Sequence, residues 1–301
     1  MQPINIGVLL TCFNRKPKTL ACLDALFHQS LPSDVTLTVY LVDDGSTDGT
    51  GNAIAQTYPQ VKLFTGNGNL FWNGGMRFAF SEAMKDDPDY YLWLNDDTII
   101  IRDAVKILLQ VSQELAQKGE KDAIVSGSTR DPQTGQTTYG GVVRENAFHP
   151  FRYKLLEPNE EAQECGTVHG NCLLMPRSVV EKVGNLDPNF IHYLGDWDYG
   201  LRARQKDCTV WIAPGHLGTC SLNPQVTKVA ASSLDEGLKK VNSPKGLAFS
   251  DVTLQSFDEW KVFTQRHGGI VWPIFWILPY RRLILLYVLN KLGLSHQEYK
   301  N

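Results

Sequence analysis

The sequence predicts an α/β fold, a mostly parallel sheet flanked by helices, with a helical extension at its C-terminal end. Three observations predict it. Short apolar runs alternate with helix-period segments through residues 4–97. Polar clusters at 11–15, 43–46 and 95–97 each follow directly on an apolar run. Hydrophobic residues at 43% and charged residues at 20% are those of a globular chain, and 301 residues suffice for one large domain or two modest ones.

Each element follows from its pattern. Residues 6–10 read as a buried strand, and 19–29 place Leu20, Leu23 and Phe27 on one helical face. Residues 37–42 form a second strand running into Asp43-Asp44-Gly45-Ser46, where Ser46 or Thr47 caps the next helix. A third strand at 61–64 precedes a crossover helix at 74–84, and a fourth at 90–94 ends at Asn95-Asp96-Asp97. A long amphipathic helix over 102–118, a strand at 123–128 and a Gly/Thr-rich stretch at 134–141 follow. After a polar loop near Pro158, a run at 168–175 leads to a helix from Arg177, the segment 195–205 and a strand at 209–213. Residues 222–256 are polar, read as a helix or loop.

Strands alternating with helices at this spacing imply parallel βαβ units, in which ligands bind beyond the carboxyl ends of the strands. The three polar clusters all fall at those ends. Domain boundaries are expected at 1–222 for the sheet domain and 223–301 for the extension.

The net charge of -3 offers no electrostatic case for a nucleic-acid partner. Six scattered cysteines, without a CxxC pair, fit a reducing compartment better than a disulfide scaffold. Residues 1–5 lack a basic n-region and the run at 6–10 is too short for a signal-peptide core, so a cytoplasmic location is expected. The last stretch differs: 270–278 and 283–289 are strongly apolar, with Trp272 and Trp276, and Pro279-Tyr280-Arg281-Arg282 interrupts them. Prolines and arginines argue against a spanning helix, and six basic residues against one acidic over 260–301 suit an interfacial segment on an anionic membrane. Packing on the domain or at a dimer interface is the alternative.

The strand ends carry the chemistry. Adjacent carboxylates at Asp96 and Asp97 repel and must partly desolvate. A Mg²⁺ or Mn²⁺ ion resolves both problems, taking hard carboxylate oxygens on one side and diphosphate oxygens on the other. A capped turn is the plainer alternative. Asp43 and Asp44 suit recognition of a base and ribose, because carboxylates accept hydrogen bonds from a pyrimidine N3–H or from hydroxyls.

Taken in order, Thr11-Cys12-Phe13-Asn14-Arg15, Val42-Asp43-Asp44-Gly45-Ser46-Thr47-Asp48, Phe71-Trp72-Asn73-Gly74-Gly75-Met76 and Asn95-Asp96-Asp97 resemble the family-2 inverting glycosyltransferases of the GT-A fold, a Rossmann-like sheet, over roughly residues 4–222. Bacterial polysaccharide rhamnosyl, galactofuranosyl and hexosyl transferases carry similar segments, the third before the crossover helix. The resemblance implies donor contacts at Thr11, Phe13, Arg15, Asp43, Asp44, Asn73, Gly74, Asn95 and Asp96, and a UDP- or dTDP-sugar donor. Gly195-Asp196-Trp197-Asp198-Tyr199-Gly200-Leu201-Arg202 looks like the stretch whose first Asp is the catalytic base, with Gly195 where the family often has Glu. That implies Asp196 as base, with Asp198 as the other candidate. His216 falls where relatives place a metal ligand, so Asp97 and His216 are the expected pair for Mn²⁺ or Mg²⁺. His169 and Trp197 are candidates to line the acceptor pocket, and a glycan or lipid-linked acceptor is implied.

Competing readings are a nucleotidyltransferase and a non-catalytic sugar-binding module. The first usually opens with a Gly-rich loop after its first strand, and residues 11–16 contain no glycine. An NAD-linked dehydrogenase lacks its GxGxxG.

Overall fold

The structure is a computed structural model that describes residues 3–146, 149–222 and 256–292. The chain divides into two compact units, residues 1–222 and 223–301.

In the first unit, β1 (Ile4–Cys12), α1 (Lys16–Phe27), β2 (Val35–Asp43), α2 (Thr50–Thr57), β3 (Lys62–Thr65), α3 (Phe71–Asp86) and β4 (Tyr90–Leu94) follow one another as expected. Then come β5 (Ile99–Ile100), α4 (Ala104–Gln117), β6 (Ala123–Arg130), β7 (Thr137–Tyr139), β8 (Gly141–Arg144), β9 (Tyr153–Leu155), β10 (Gln163–Glu164) and β11 (Thr167–Val168). The unit closes with β12 (Cys172–Pro176), α5 (Arg177–Val183), α6 (Gly195–Gln205) and β13 (Thr209–Thr219).

The main sheet runs β10-β13-β6-β12-β4-β1-β2-β3, with β5 beside β13 and β7 beside β6, while β11-β8-β9 form a small second sheet. The β1–β2, β1–β4, β2–β3 and β6–β13 pairings are parallel, and β12 is inserted antiparallel between β4 and β6. The chain winds outward from β1 to β3 and α3 carries it back to β4 on the other side of β1. The order therefore reverses between β1 and β4, and the crevice at their carboxyl ends is the expected ligand position.

Strand periodicity explains the two cores. Ile6, Val8, Leu10 and Cys12 of β1 face α1 and α4, joining Leu23, Leu26 and Leu108. Leu9 of β1 points the other way, with Met76 and Phe80 of α3 and Tyr199 of α6. Both faces are covered, which is why these strands read as continuous apolar runs rather than as alternation. Each buried aliphatic side chain contributes about 1.5–3 kcal/mol.

Four elements differ from expectation. α2 begins after a left-handed Gly49 (φ 80°) and has no side-chain cap from Ser46 or Thr47. The run at 168–175 splits into β11 and β12 around a turn at Gly170. The strand expected at 209–213 continues to Thr219. The Phe71–Met76 segment, expected before the crossover helix, forms its first turns, starting from a left-handed Phe71 (φ 54°).

The second unit, as described, contains α7 (Phe257–His267), α8 (Trp272–Ile277) and α9 (Arg281–Lys291). Asp258 and Glu259 lie in the first turn of α7 and Arg266 and His267 in its last, each complementing the helix dipole. Among the described residues no helix is long and apolar enough to cross a membrane. The polar stretch anticipated at 222–256 lies, apart from its ends, outside the described residues.

Candidate active site

The crevice between β1 and β4 is bridged by one guanidinium. Arg15, just past β1, places Nη1 3.1 Å from Asp96 Oδ1 and 3.0 Å from Asp97 Oδ2, while Lys18 Nζ lies 3.6 Å from Asp97 Oδ2. Thr19 Oγ1 donates to Asp96 Oδ2 at 3.2 Å. Asp96 is 5% exposed, and burial pushes its carboxyl up to about 6, with Arg15 pulling the other way. Burial works to lower the Arg15 pKa, but the two carboxylates outweigh it and hold the group above its ordinary value. Asn95 Oδ1 accepts from Trp72 Nε1 at 2.7 Å, and its N–H donates to the Asn171 carbonyl. Lys18 and Thr19 carry no recognisable motif, and their helical spacing from Arg15 was the only signal that could have found them.

At the end of β2 the two carboxylates diverge. Asp44 accepts from the backbone N–H groups of Gly68 (2.8 Å), Leu70 (2.8 Å) and Phe71 (3.2 Å), so it shapes the loop leading into α3. Asp43 Oδ1 accepts from Ser46 N–H at 3.0 Å, and the residue lines a cleft with Ser46, Asn52 and Thr65. Asn14, left-handed at φ 51°, ties this end to β1: its Oδ1 accepts from Thr47 N–H at 2.7 Å. Phe13 beside it is 48% exposed.

Three residues expected to touch the donor also hold the walls together. Asp44 is one. Thr11 donates its hydroxyl to the Val42 carbonyl at 3.2 Å and lies against Gly75, where a Cβ would come within 2.0 Å of Thr11 Oγ1. Asn73 is fully buried, and its Nδ2 donates to the carbonyls of Asp187 (3.0 Å) and Phe190 (2.6 Å). Gly74 continues the first turn of α3, its N–H donating to the Leu70 carbonyl at 3.1 Å.

The carboxylates of α6 also differ. Asp198 is fully buried and pairs with Arg202 Nε at 2.7 Å, one helical turn on. Arg202 is in turn fixed by the carbonyls of Val183 and Asn185. Asp198 therefore already has a cationic partner, whereas Asp196 has none among the described residues. Asp196 is held by N–H groups, from Gly170 to Oδ2 at 2.9 Å and from Trp197 to Oδ1 at 2.8 Å. Burial raises its pKa, with His169 and these N–H groups opposing. Burial lowers the His169 pKa, with Asp196 opposing. His169 Nδ1–H donates to the Gly140 carbonyl at 3.0 Å, and its ring lies edge-on to Tyr139 (5.5 Å) and Trp197 (5.7 Å). Trp197 meets Tyr153 at 5.1 Å, so His169 and Trp197 belong to one aromatic wall.

One contact chain joins the two halves. Trp72 bonds Asn95, its indole covers Gly170, where a Cβ would come within 2.7 Å of the ring, and the Gly170 N–H holds Asp196.

His216 Nε2 lies 2.7 Å from Thr137 Oγ1 and 3.9 Å from Glu157 Oε1. The register of β13 against β6 shifts on both sides of His216, next to a left-handed Gly215 (φ 63°), and this places the ring toward β7. The β13-side residue that does reach Asp97 is Cys220, with Sγ 3.6 Å from Oδ1. Among the described residues no three His, Cys, Asp or Glu side chains gather as a metal cage. Two strand-end carboxylates do fit the mode in which Mg²⁺ takes one or two carboxylates and fills its shell with water and substrate phosphates. The cysteines are all buried free thiols.

A mixed sheet with its switch point at β1/β4, flanked by helices and edged with carboxylates, defines the GT-A class of fold. The chain belongs to glycosyl transferase family 2, whose profile matches residues 7–184. It is 26% identical over 205 residues to the N-acetylglucosaminyl-diphospho-decaprenol L-rhamnosyltransferase of two Mycobacterium tuberculosis strains, CDC 1551 / Oshkosh and ATCC 25618 / H37Rv. That match covers 58% of this chain and 62% of the relatives' own length. The fold is similar to S. aureus TarS (TM-score 0.53, 12% identity, 89% of this chain and 44% of that one). It is equally similar to S. aureus TarS 1-349 in complex with UDP (TM-score 0.53, 12% identity, 87% and 70%).

Proposed function

We propose that this chain transfers a sugar from a UDP- or dTDP-sugar to a hydroxyl of a glycan or lipid-linked acceptor, with inversion, in surface polysaccharide synthesis. The observation that carries the reading is the Trp72–Gly170 contact chain. It ties a hydrogen-bonded, uncommitted-to-cation carboxylate at α6 to the cation-bridged carboxylates at the strand ends. Family membership supports the reaction class, the rhamnosyltransferase relatives support a polyprenyl-linked acceptor, and the TarS complex supports a uridine nucleotide.

In this mechanism Asp43, Phe13 and Arg15 receive the nucleotide and diphosphate. Arg15 and Lys18 supply positive charge where the nucleoside diphosphate departs. Asp196 accepts the proton from the acceptor hydroxyl as that oxygen forms its bond to the anomeric carbon and the bond to the diphosphate breaks. One displacement inverts the configuration. The two N–H groups on Asp196 orient the carboxylate, and His169 and Trp197 offer an aromatic wall to the acceptor sugar. Asp97, with Asp96 behind it, would hold Mg²⁺ or Mn²⁺, which when bound neutralises charge on the diphosphate.

Residues 1–222 act as the catalytic domain and the C-terminal unit as a peripheral contact with the cytoplasmic face of the membrane. In that unit Ile270, Ile274, Leu285 and Leu292 are 99%, 62%, 57% and 64% exposed, and no acidic residue occurs between Glu259 and Glu298.

Thermal stability with a panel of nucleotide sugars, each with and without Mn²⁺ or Mg²⁺, tests the reading. A metal-dependent rise with one UDP- or dTDP-sugar is expected, because a ligand selective for the folded state stabilises it by mass action. No rise with any donor favours a non-catalytic module.

A further inference from the structure

We infer that Asn73 and Gly195 form a spacer pair that sets where α6 begins, and thereby where the Asp196 carboxylate stands. The inference rests on Asp196 as the base and adds to it the part that positions that base.

Asn73 sits in the first turn of α3, fully buried. Its Nδ2 donates to the Asp187 and Phe190 carbonyls, and its backbone N–H donates to the Ile191 carbonyl at 3.1 Å. These three bonds fasten the turn that feeds α6. The remaining polar atom, Oδ1, is buried without a hydrogen-bond partner among the described residues and faces Gly195. A Cβ at position 195 would stand 1.9 Å from Oδ1 and 2.8 Å from Cγ. No side chain fits there while Asn73 does, which accounts for glycine at a position where the family stretch often has glutamate.

The start of α6 needs such a device. Leu194 precedes it in the left-handed region (φ 70°), is 2% exposed and supplies no side-chain cap. A bulky residue there is strained and persists only where its surroundings over-determine it. The Asn73 side-chain oxygen brings partial negative charge to the positive end of α6 without accepting a cap hydrogen bond. Asp196 is the next residue, and a displacement of about 1 Å in a reacting group can cost roughly 10²-fold in rate.

The test is a double-mutant cycle on the full chain, with Asn73→Ala, Gly195→Ala and both together, read by kcat, donor KM and Tm. The Cβ of residue 195 would then face the Cβ of residue 73 at 3.5 Å, ordinary contact. The Gly195→Ala change alone is expected to lower kcat by roughly 10²-fold with little change in donor KM. Made in the Asn73→Ala background it should cost less than about threefold, the signature of coupled neighbours. Equal losses in both backgrounds overturn the inference. If Gly195→Ala alone does not fold, recovery of a cooperative melt in the double variant supports the pair, and a double variant that fails where Asn73→Ala folds overturns it. The Tm coupling is read without activity. Turnover surviving in Asp196→Asn would therefore remove the base assignment while leaving the spacer pair to stand or fall on its own.

Discussion

Two carboxylate pairs, one at the end of β4 and one in the first turn of α6, resolve the same electrostatic problem differently. Asp96 and Asp97 share one cation, Arg15, with Lys18 beyond it. Asp196 and Asp198 do not share. Asp198 pairs with Arg202 one helical turn on, and Asp196 is left to backbone N–H groups beside a half-buried histidine. The first arrangement stores negative charge under an exchangeable counter-charge, which suits a diphosphate and its cation. The second splits two neighbours into one paired with a cation and one held by backbone N–H groups. Environment, not residue type, separates the roles.

The comparison can be broken most directly at α6. Asp196→Asn should lower kcat by about 10³-fold, within the range for a positioned base, while a donor-induced thermal shift persists. Steady-state kinetics and a melt with donor measure both, and turnover near wild type would make the two carboxylates of α6 equivalent after all. Asp198→Ala should instead act on stability, by about 2–3 kcal/mol, because it removes the carboxylate from the mostly buried Arg202 while two carbonyls remain. Chemical denaturation checks it, and an unchanged midpoint would mean Arg202 finds another partner.

At β4, Arg15→Ala should raise donor KM by about 10-fold, the size expected for one charge-assisted contact, with a smaller effect on kcat. A large loss of kcat with KM unchanged would place Arg15 on the reaction rather than on binding. The pH profile sharpens the contrast further. Burial raises the Asp196 pKa, so the base is lost on acidification at a higher pH than an ordinary carboxylate near 3.9 would allow. kcat/KM should therefore fall as pH drops, with its acid limb above that value and unmoved by conservative changes at Asp198. The stability sign is opposite. A carboxyl whose folded pKa is raised contributes stability below its unfolded pKa and loses it as pH rises through the folded value, so Asp196→Asn should flatten Tm on that side.

A binding effect of similar size to that of Arg15→Ala is expected in the second unit. Ile270→Ser should weaken sedimentation with anionic vesicles by about 10-fold, roughly the free energy of one buried aliphatic side chain. Equal binding to neutral vesicles would remove the charge component.

Much of the architecture was legible in the residues. Runs such as 6–10 and 90–94 are apolar at every position because both faces of a parallel sheet are covered, and the polar clusters after them had to lie at strand ends. The family resemblance and the GT-A fold were likewise readable, from motifs that are contiguous in sequence. The division of labour inside those motifs was not. Arg15 meets Asp96 across 81 residues and Asn73 meets Phe190 across 117. Local periodicity holds no record of such partners. His216 lies on β13 and Cys220 just past its end, and only the tertiary structure places Cys220 rather than His216 in contact with Asp97. The sequence by itself determined which chemical groups reach the carboxyl edge of the sheet, because strand and helix periods are local properties. Which of those groups is neutralised, buried or able to accept a proton was decided by tertiary structure alone, because desolvation and pairing depend on neighbours brought from elsewhere in the chain.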